Sequence, residues 1–198
     1  MGIPTIKPWG DDVLPEKFAL VRESGAFACA MDVDGAGLPF LKKLHTSAGT
    51  KSEAELTEII RQAGVPFLVK GIMTVRGALK AKRAGAAGIV VSNHGGRVLD
   101  QCPATAEVLR DIVEAVGEDM TVLVDGGIRS GTDIFKALAL GARAVVIARP
   151  FVTALYGAGA EGVRIYVDKL AAELEDTMEM CGAHSLGEIT RDMVRLPW

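Results

Sequence analysis

The sequence predicts an α/β fold in which parallel strands alternate with helices. Three observations carry that prediction. Short runs rich in Val and Ile alternate with longer amphipathic stretches, those runs are nearly continuous in apolar residues, and polar residues collect at their carboxyl ends. Near-continuous apolar runs suit a sheet that is covered on both faces. The stretches between them are long enough for the right-handed crossovers that parallel pairing needs. Helices then lie outside and chemistry sits in the loops after the strands, the arrangement of a (β/α)8 TIM barrel.

In chain order, strands are expected over residues 4–7, 27–33, 66–71, 88–93, 121–125 and 144–148. Helices are expected over 13–24, 53–63, 75–84, 104–116 and 132–140, each with apolar residues three and four apart. Ser52 with Glu55 makes a capping box at the start of the second helix. After Pro150 the pattern is helical only. There Val163, Val167, Leu170, Leu174, Met178 and Cys181 form one stripe expected to pack on the barrel, and Ser185 with Glu188 can open a last short helix. No linker or low-complexity tract interrupts the 198 residues, so one domain is expected over 1–198, with 151–198 as its C-terminal helices.

Composition narrows the function. With 22 basic and 25 acidic residues the net charge is −3, and no strong positive field is available to hold a nucleic acid. Cys29, Cys102 and Cys181 are far apart, with no histidine at ligand spacing, so neither a zinc site nor a disulfide framework is expected. A reducing cytoplasm is the expected home. No apolar run approaches the roughly 18 residues of a membrane span, and neither a membrane partner nor a leader segment is expected.

Asp32, Asp34, Lys70, Ser92, Asn93, His94, Asp125 and Arg149 all stand at or just past the ends of apolar runs. The stretch Ser92-Asn93-His94-Gly95-Gly96-Arg97 offers a histidine that can act as a general base, glycines that let backbone approach a bound ring, and a guanidinium suited to a carboxylate. Lys70 follows Phe67-Leu68-Val69, which aims its ammonium into the mouth of the sheet, where it can stabilise negative charge; Schiff-base chemistry there stays open. Asp34 can accept a ring N–H of His94 and fix its tautomer, while Asp32 faces the ligand. A metal held by these two acids lacks further oxygen ligands nearby in the sequence, so none is expected. Asp125-Gly126-Gly127-Ile128-Arg129-Ser130-Gly131 ends one strand and opens a helix, and Arg149-Pro150 ends the next. Free backbone N–H groups and an arginine there favour a phosphate.

The combination of Lys70-Gly71, the 92–97 motif with Leu99-Asp100, the 125–131 loop and Arg149-Pro150 resembles the FMN-dependent L-2-hydroxy-acid oxidases and dehydrogenases, which include lactate oxidase and glycolate oxidase. The resemblance implies FMN as cofactor and a small lactate-like 2-hydroxy acid as substrate, oxidised to its 2-oxo acid. It implies that His94 takes the substrate proton, by a hydride or a carbanion route, that Arg97 holds the carboxylate, and that Asp34 orients His94. Lys70 would face N1 and O2 of the flavin ring, Ser92 and Asp32 would touch the flavin, and Asp125 would meet the ribityl chain. Arg149 with the backbone around Gly127 and Arg129 would hold the phosphate. The family often forms homo-oligomers.

The sequence also departs from that pattern. Where the family carries Gln-x-Tyr this chain reads Thr5-Ile6-Lys7, and Asp32 stands in place of Thr. A second carboxylate-binding arginine is not found around residues 37–41, and Ala148 replaces a Gly. Numbered by the resemblance, residues 4–7 are the third strand and 144–148 the eighth, so the first two strands are expected to be lacking. A second reading therefore stands beside the enzyme: an inactive fragment, or the flavin- or phosphate-binding part of a split barrel. A third is a phosphate-binding isomerase or aldolase that uses Lys70.

Overall fold

The apolar runs form six strands, β1 (Thr5–Ile6), β2 (Cys29–Asp32), β3 (Phe67–Ile72), β4 (Gly88–Val91), β5 (Thr121–Asp125) and β6 (Ala144–Val146), in a computed structural model that describes residues 2–38, 43 and 48–195. The sheet order follows the chain, β1-β2-β3-β4-β5-β6, and every pair is parallel. Between the strands lie α1 (Leu14–Glu23), α2 (Glu53–Ala63), α3 (Val75–Arg83), α4 (Thr105–Val116) and α5 (Gly131–Ala139), and α6 (Arg149–Cys181) follows β6. Sequential order without a reversal is the winding of a barrel, not of an open doubly wound sheet.

The pleat sorts the side chains. Alternate residues point to opposite faces, and Ile6, Met31, Phe67, Val69, Ile89, Val91, Val122 and Val124 meet Leu14, Phe18, Leu56, Ile59, Leu109 and Ile112 from the helices in one buried core. The opposite face carries Thr5, Ala30, Leu68, Val90, Leu123 and Val146, one from each strand, which together line a single cavity. A sheet whose six strands share one cavity is curved around it. The outer strands β1 and β6 have no further partner strand among the described residues. Val146 at that edge, with Val152, Leu155 and Tyr156 on α6, is exposed.

Local signals fix the helices. Ser52 Oγ accepts the Glu55 N–H at 3.2 Å and Glu55 returns the bond to Ser52 N–H at 2.6 Å, the reciprocal box expected. Gly64 ends that helix at φ +69, a conformation that a side chain disfavours. Thr74 caps α3 through the Gly77 N–H at 3.0 Å. Arg149 and Pro150 belong to α6 instead of ending β6, because proline suits the first helical turn, where its missing N–H costs nothing.

The C-terminal stripe is corrected. Leu170 is buried, and Leu174 and Met178 pack with Phe135 and Ala183 in a second core against α5, but Val167 and Cys181 are exposed. The helix itself breaks earlier, at Ala158 and Gly159 (φ 60, ψ −144), ahead of the whole stripe. The short helix expected after Ser185 is a 3₁₀ turn, Leu186–Glu188, with Ser185 at its N-cap and its hydroxyl donating to Glu188 at 3.0 Å. Among the described residues no helix is long and apolar enough to cross a membrane. The part of the substrate-side segment over 39–41 lies outside the described residues.

Two measurements test this packing. Ile112→Ala, a fully buried position, is expected to lower unfolding free energy by about 2–5 kcal/mol, read from the urea midpoint. Burial pushes the Cys29 thiol up to about 11, so iodoacetamide at neutral pH should label exposed Cys181 and leave Cys29 unmodified until the protein is unfolded, as read by peptide mass.

Candidate active site

The inward positions at the carboxyl ends of the strands carry the charges: Asp32 on β2, Lys70 on β3, and Asp125 on β5. All three line the cavity with His94, Arg97, Arg129 and Arg149, and its volume is about 710 Å³. That size suits a cofactor-sized ligand. Its apolar lining includes Leu68, Val90, Leu123, Ile128 and Val146.

Lys70 is the hub of one half. Its Nζ donates to Ser92 Oγ at 2.8 Å and meets Asp125 Oδ2 at 3.1 Å, which ties β3 to the ends of β4 and β5. Ser92 is fully buried, and its oxygen also accepts the His94 backbone N–H at 3.1 Å. Ser92 does not reach the cavity wall. Its observed contacts support Lys70 and the His94 loop. Asp125 Oδ1 is buried with no hydrogen-bond partner, so it is an acceptor that lacks a donor.

His94 is the centre of the other half. It takes a left-handed backbone (φ 55), followed by Gly95 and Gly96 at φ 68 and 75. A non-glycine residue held there stores strain, which the surrounding bonds must offset. Asn93 does so locally, accepting the Gly96 N–H at 3.2 Å and donating to the Pro103 carbonyl at 3.1 Å. The imidazole Nδ1 lies 3.2 Å from both oxygens of Asp34. Asp34 sits in a 3₁₀ turn, Val33–Gly37, behind the cavity wall. Nε2 has no protein partner among the described residues, and His94 itself lines the cavity. A carboxylate behind an imidazole fixes the tautomer and stabilises the protonated ring.

Gly71 makes this possible. It lies in a bulge between Lys70 and Ile72 at φ +101, and a Cβ there would come within 2.7 Å of Asp34 Cβ and Cγ. Only glycine lets the Asp34 turn rest on β3.

Two departures from the family pattern turn out to face each other. Lys7, one residue past β1, meets Asp32 Oδ2 at 2.5 Å, and Asp32 is buried at 3% exposure. Sequence reasoning did not identify Lys7 as a site residue; the signal available was its place two residues after inward Thr5. Asp32, Asp34 and His94 offer ligand atoms within 4.8 Å of one another, yet these groups are engaged with Lys7 and with each other.

The anion end is more closed than expected. The N–H groups of Arg129 and Ser130 both donate to Asp133 Oδ2 at 3.0 Å, and that of Gly131 donates to Glu173 at 2.9 Å. The expected free backbone at Arg129 is therefore corrected: the Ser130–Asp133 capping box uses it, a Ser-x-x-Asp signal visible in the sequence. Gly127 remains, at φ +82 with no atom within 4 Å of where a Cβ would stand. The Arg129 and Arg149 guanidiniums line the cavity, and Arg149 Nη2 donates to the Gly95 carbonyl at 3.4 Å. Arg97 is exposed, donates through Nε to the His94 carbonyl at 3.2 Å, and has no carboxylate partner among the described residues.

A parallel, sequentially wound sheet with an imidazole, a lysine and arginines at its carboxyl mouth is part of a (β/α)8 barrel with the ligand-site end built. The model of the FMN-dependent dehydrogenase family matches residues 23–196, and the chain belongs to that family. It is 53% identical over 131 residues to a peroxisomal (S)-2-hydroxyacid oxidase, GLO3, of Arabidopsis thaliana, covering 66% of this chain and 36% of the relative. It is 47% identical over 134 residues to the glycolate oxidase of Spinacia oleracea, covering 68% and 36%. A mandelate oxidase variant solved with (S)-mandelic acid superposes with a TM-score of 0.83 at 34% identity, covering 96% of this chain and 62% of that one. The chain thus spans about a third of the length of the curated relatives it matches.

The residues present fit FMN. The apolar wall suits a flat ring, buried Asp125 Oδ1 lacks a donor that a ribityl hydroxyl supplies, and the open space over Gly127 faces arginines that suit a phosphate.

Gly71→Ala is expected to cost about 1–3 kcal/mol from backbone strain alone. Gly64→Ala, also at positive φ but with nothing within 4 Å, should cost less. Equal urea midpoints for the two variants would contradict the packing of Asp34 on Gly71.

Proposed function

We propose that this protein is an FMN-dependent oxidoreductase that converts a small L-2-hydroxy acid to the 2-oxo acid. The observation that carries the reading is that His94, backed by Asp34, lines one cavity together with the Lys70–Asp125 pair. Family membership supports the cofactor.

Oxidation of a 2-hydroxy acid removes two electrons and two protons, and FMN, when bound, would accept the electron pair with one of the protons. His94 takes one proton at Nε2, the nitrogen left without a protein partner, while Asp34 at Nδ1 stabilises the imidazolium that results. Arg97 has a guanidinium without a carboxylate partner close to His94, and it grips the substrate carboxylate. Lys70 places a positive charge against the ring edge, where it favours the negative charge that arrives with the electrons. Asp125 accepts from the ribityl chain, and Arg149, Arg129 and the Gly127 backbone hold the phosphate. Asp32 contributes to the wall on the substrate side.

The relatives named for glycolate and mandelate oxidation leave the substrate side chain to experiment. The test is the absorbance of FMN-loaded protein on anaerobic addition of glycolate, L-lactate or (S)-mandelate. Bleaching is expected with at least one of them, and His94→Ala should slow it by about 10²–10⁴-fold while FMN binding persists. An unchanged rate in that variant would remove His94 from the base role.

A further inference from the structure

The ends of β1 and β2 hold an ion pair that the proposed chemistry does not use. Lys7 Nζ meets Asp32 Oδ2 at 2.5 Å, with the Lys7 side chain 29% exposed and that of Asp32 only 4% exposed. The same Oδ2 lies 4.0 Å from His94 Nδ1, against 3.2 Å for both oxygens of Asp34. Two carboxylates therefore stand within reach of one imidazole N–H.

Their positions differ in a way that matters. Asp32 is part of the cavity wall, whereas Asp34 is behind it. An imidazole that bonds Asp34 has its second nitrogen free toward the cavity; one drawn to Asp32 is turned along the wall. A buried carboxylate without a partner is costly, and a small ring rotation would relieve that cost by supplying one. The other charged groups near His94 do not hold Asp32. Lys70 is committed to Ser92 and Asp125, Arg97 to the His94 carbonyl, and Arg149 to the Gly95 carbonyl. Lys7 alone satisfies it among the described residues.

We propose that Lys7 is a positioning residue for His94: by pairing with Asp32 from the end of β1, it leaves Asp34 as the one carboxylate that the imidazole meets. The base role of His94 rests on the reading above, but the ring geometry does not.

The test reads the imidazole directly. In a ¹H–¹⁵N spectrum of the full chain without ligand, with His94 assigned by loss of its signals in His94→Gln, the His94 ring signals should shift in Asp34→Asn and hold in Asp32→Asn. In Lys7→Met they should shift, and in Lys7→Met/Asp32→Asn, which removes the competing charge, they should return to the wild-type positions. In FMN-loaded protein the bleaching rate should fall roughly 10- to 100-fold in the single variant and recover in the double variant. Wild-type ring signals in Lys7→Met overturn the proposal, as do shifted signals in the double variant. If Lys7→Met does not fold, the double variant decides alone by the same criterion. Wild-type protein that no 2-hydroxy acid bleaches would overturn the catalytic reading and still leave the ring measurement decisive for Lys7.

Discussion

A charge inside a curved sheet has to be paired, and this constraint shapes the site. The strand pleat brings Asp32, Lys70 and Asp125 to the inner face at the carboxyl ends of the strands. Each finds an opposite charge on another element, Asp32 with Lys7 and Lys70 with Asp125, while the His94 imidazole meets Asp34. The pairs run across strands, so the same contacts that satisfy the charges also set the spacing of the strand ends. Ser92 joins the last two of these pairs, since its single oxygen accepts from both Lys70 and the His94 backbone.

Rigidity and strain are divided between the two faces of the sheet. The outer face is a continuous apolar core with fully buried Phe18, Phe67, Ile89 and Ile112, and this burial supplies the stability. The inner face holds the unfavourable features: a left-handed histidine, buried oxygens of Asp32 and Asp125 without donors, and three positive-φ residues in succession from His94. Unsatisfied acceptors beside a cavity are explained when a ligand supplies the donors. The structure thus carries at its mouth the features that a bound polyol and a substrate would relieve.

The likeness to solved mandelate oxidase covers nearly all of this chain and 62% of the other. The six strands keep barrel winding, and the residues proposed for base, carboxylate clamp and ring contact all lie on this arc. Among the described residues the arc leaves β1 and β6 without a further partner strand, and apolar side chains on the first part of α6 are exposed. Such edges favour association.

Much of this was legible in the linear sequence. Thr121–Asp125 and Glu53–Ala63 form with the boundaries that periodicity and the capping box give. Lys70, His94 and Asp125 could be located because a polar residue ending an apolar run has few places to point. The closure of the Arg129 and Ser130 amides was written locally too, in Ser130 and Asp133. The Lys7–Asp32 pair, the seat that Gly71 gives Asp34, the bond that Gly131 N–H donates to Glu173 and the break in α6 at Ala158 and Gly159 were not. Each joins residues far apart in sequence or depends on a backbone angle. Sequence periodicity states which face a side chain takes; which partner it meets there is decided by the curvature and register of the sheet, because buried charges are satisfied in three dimensions.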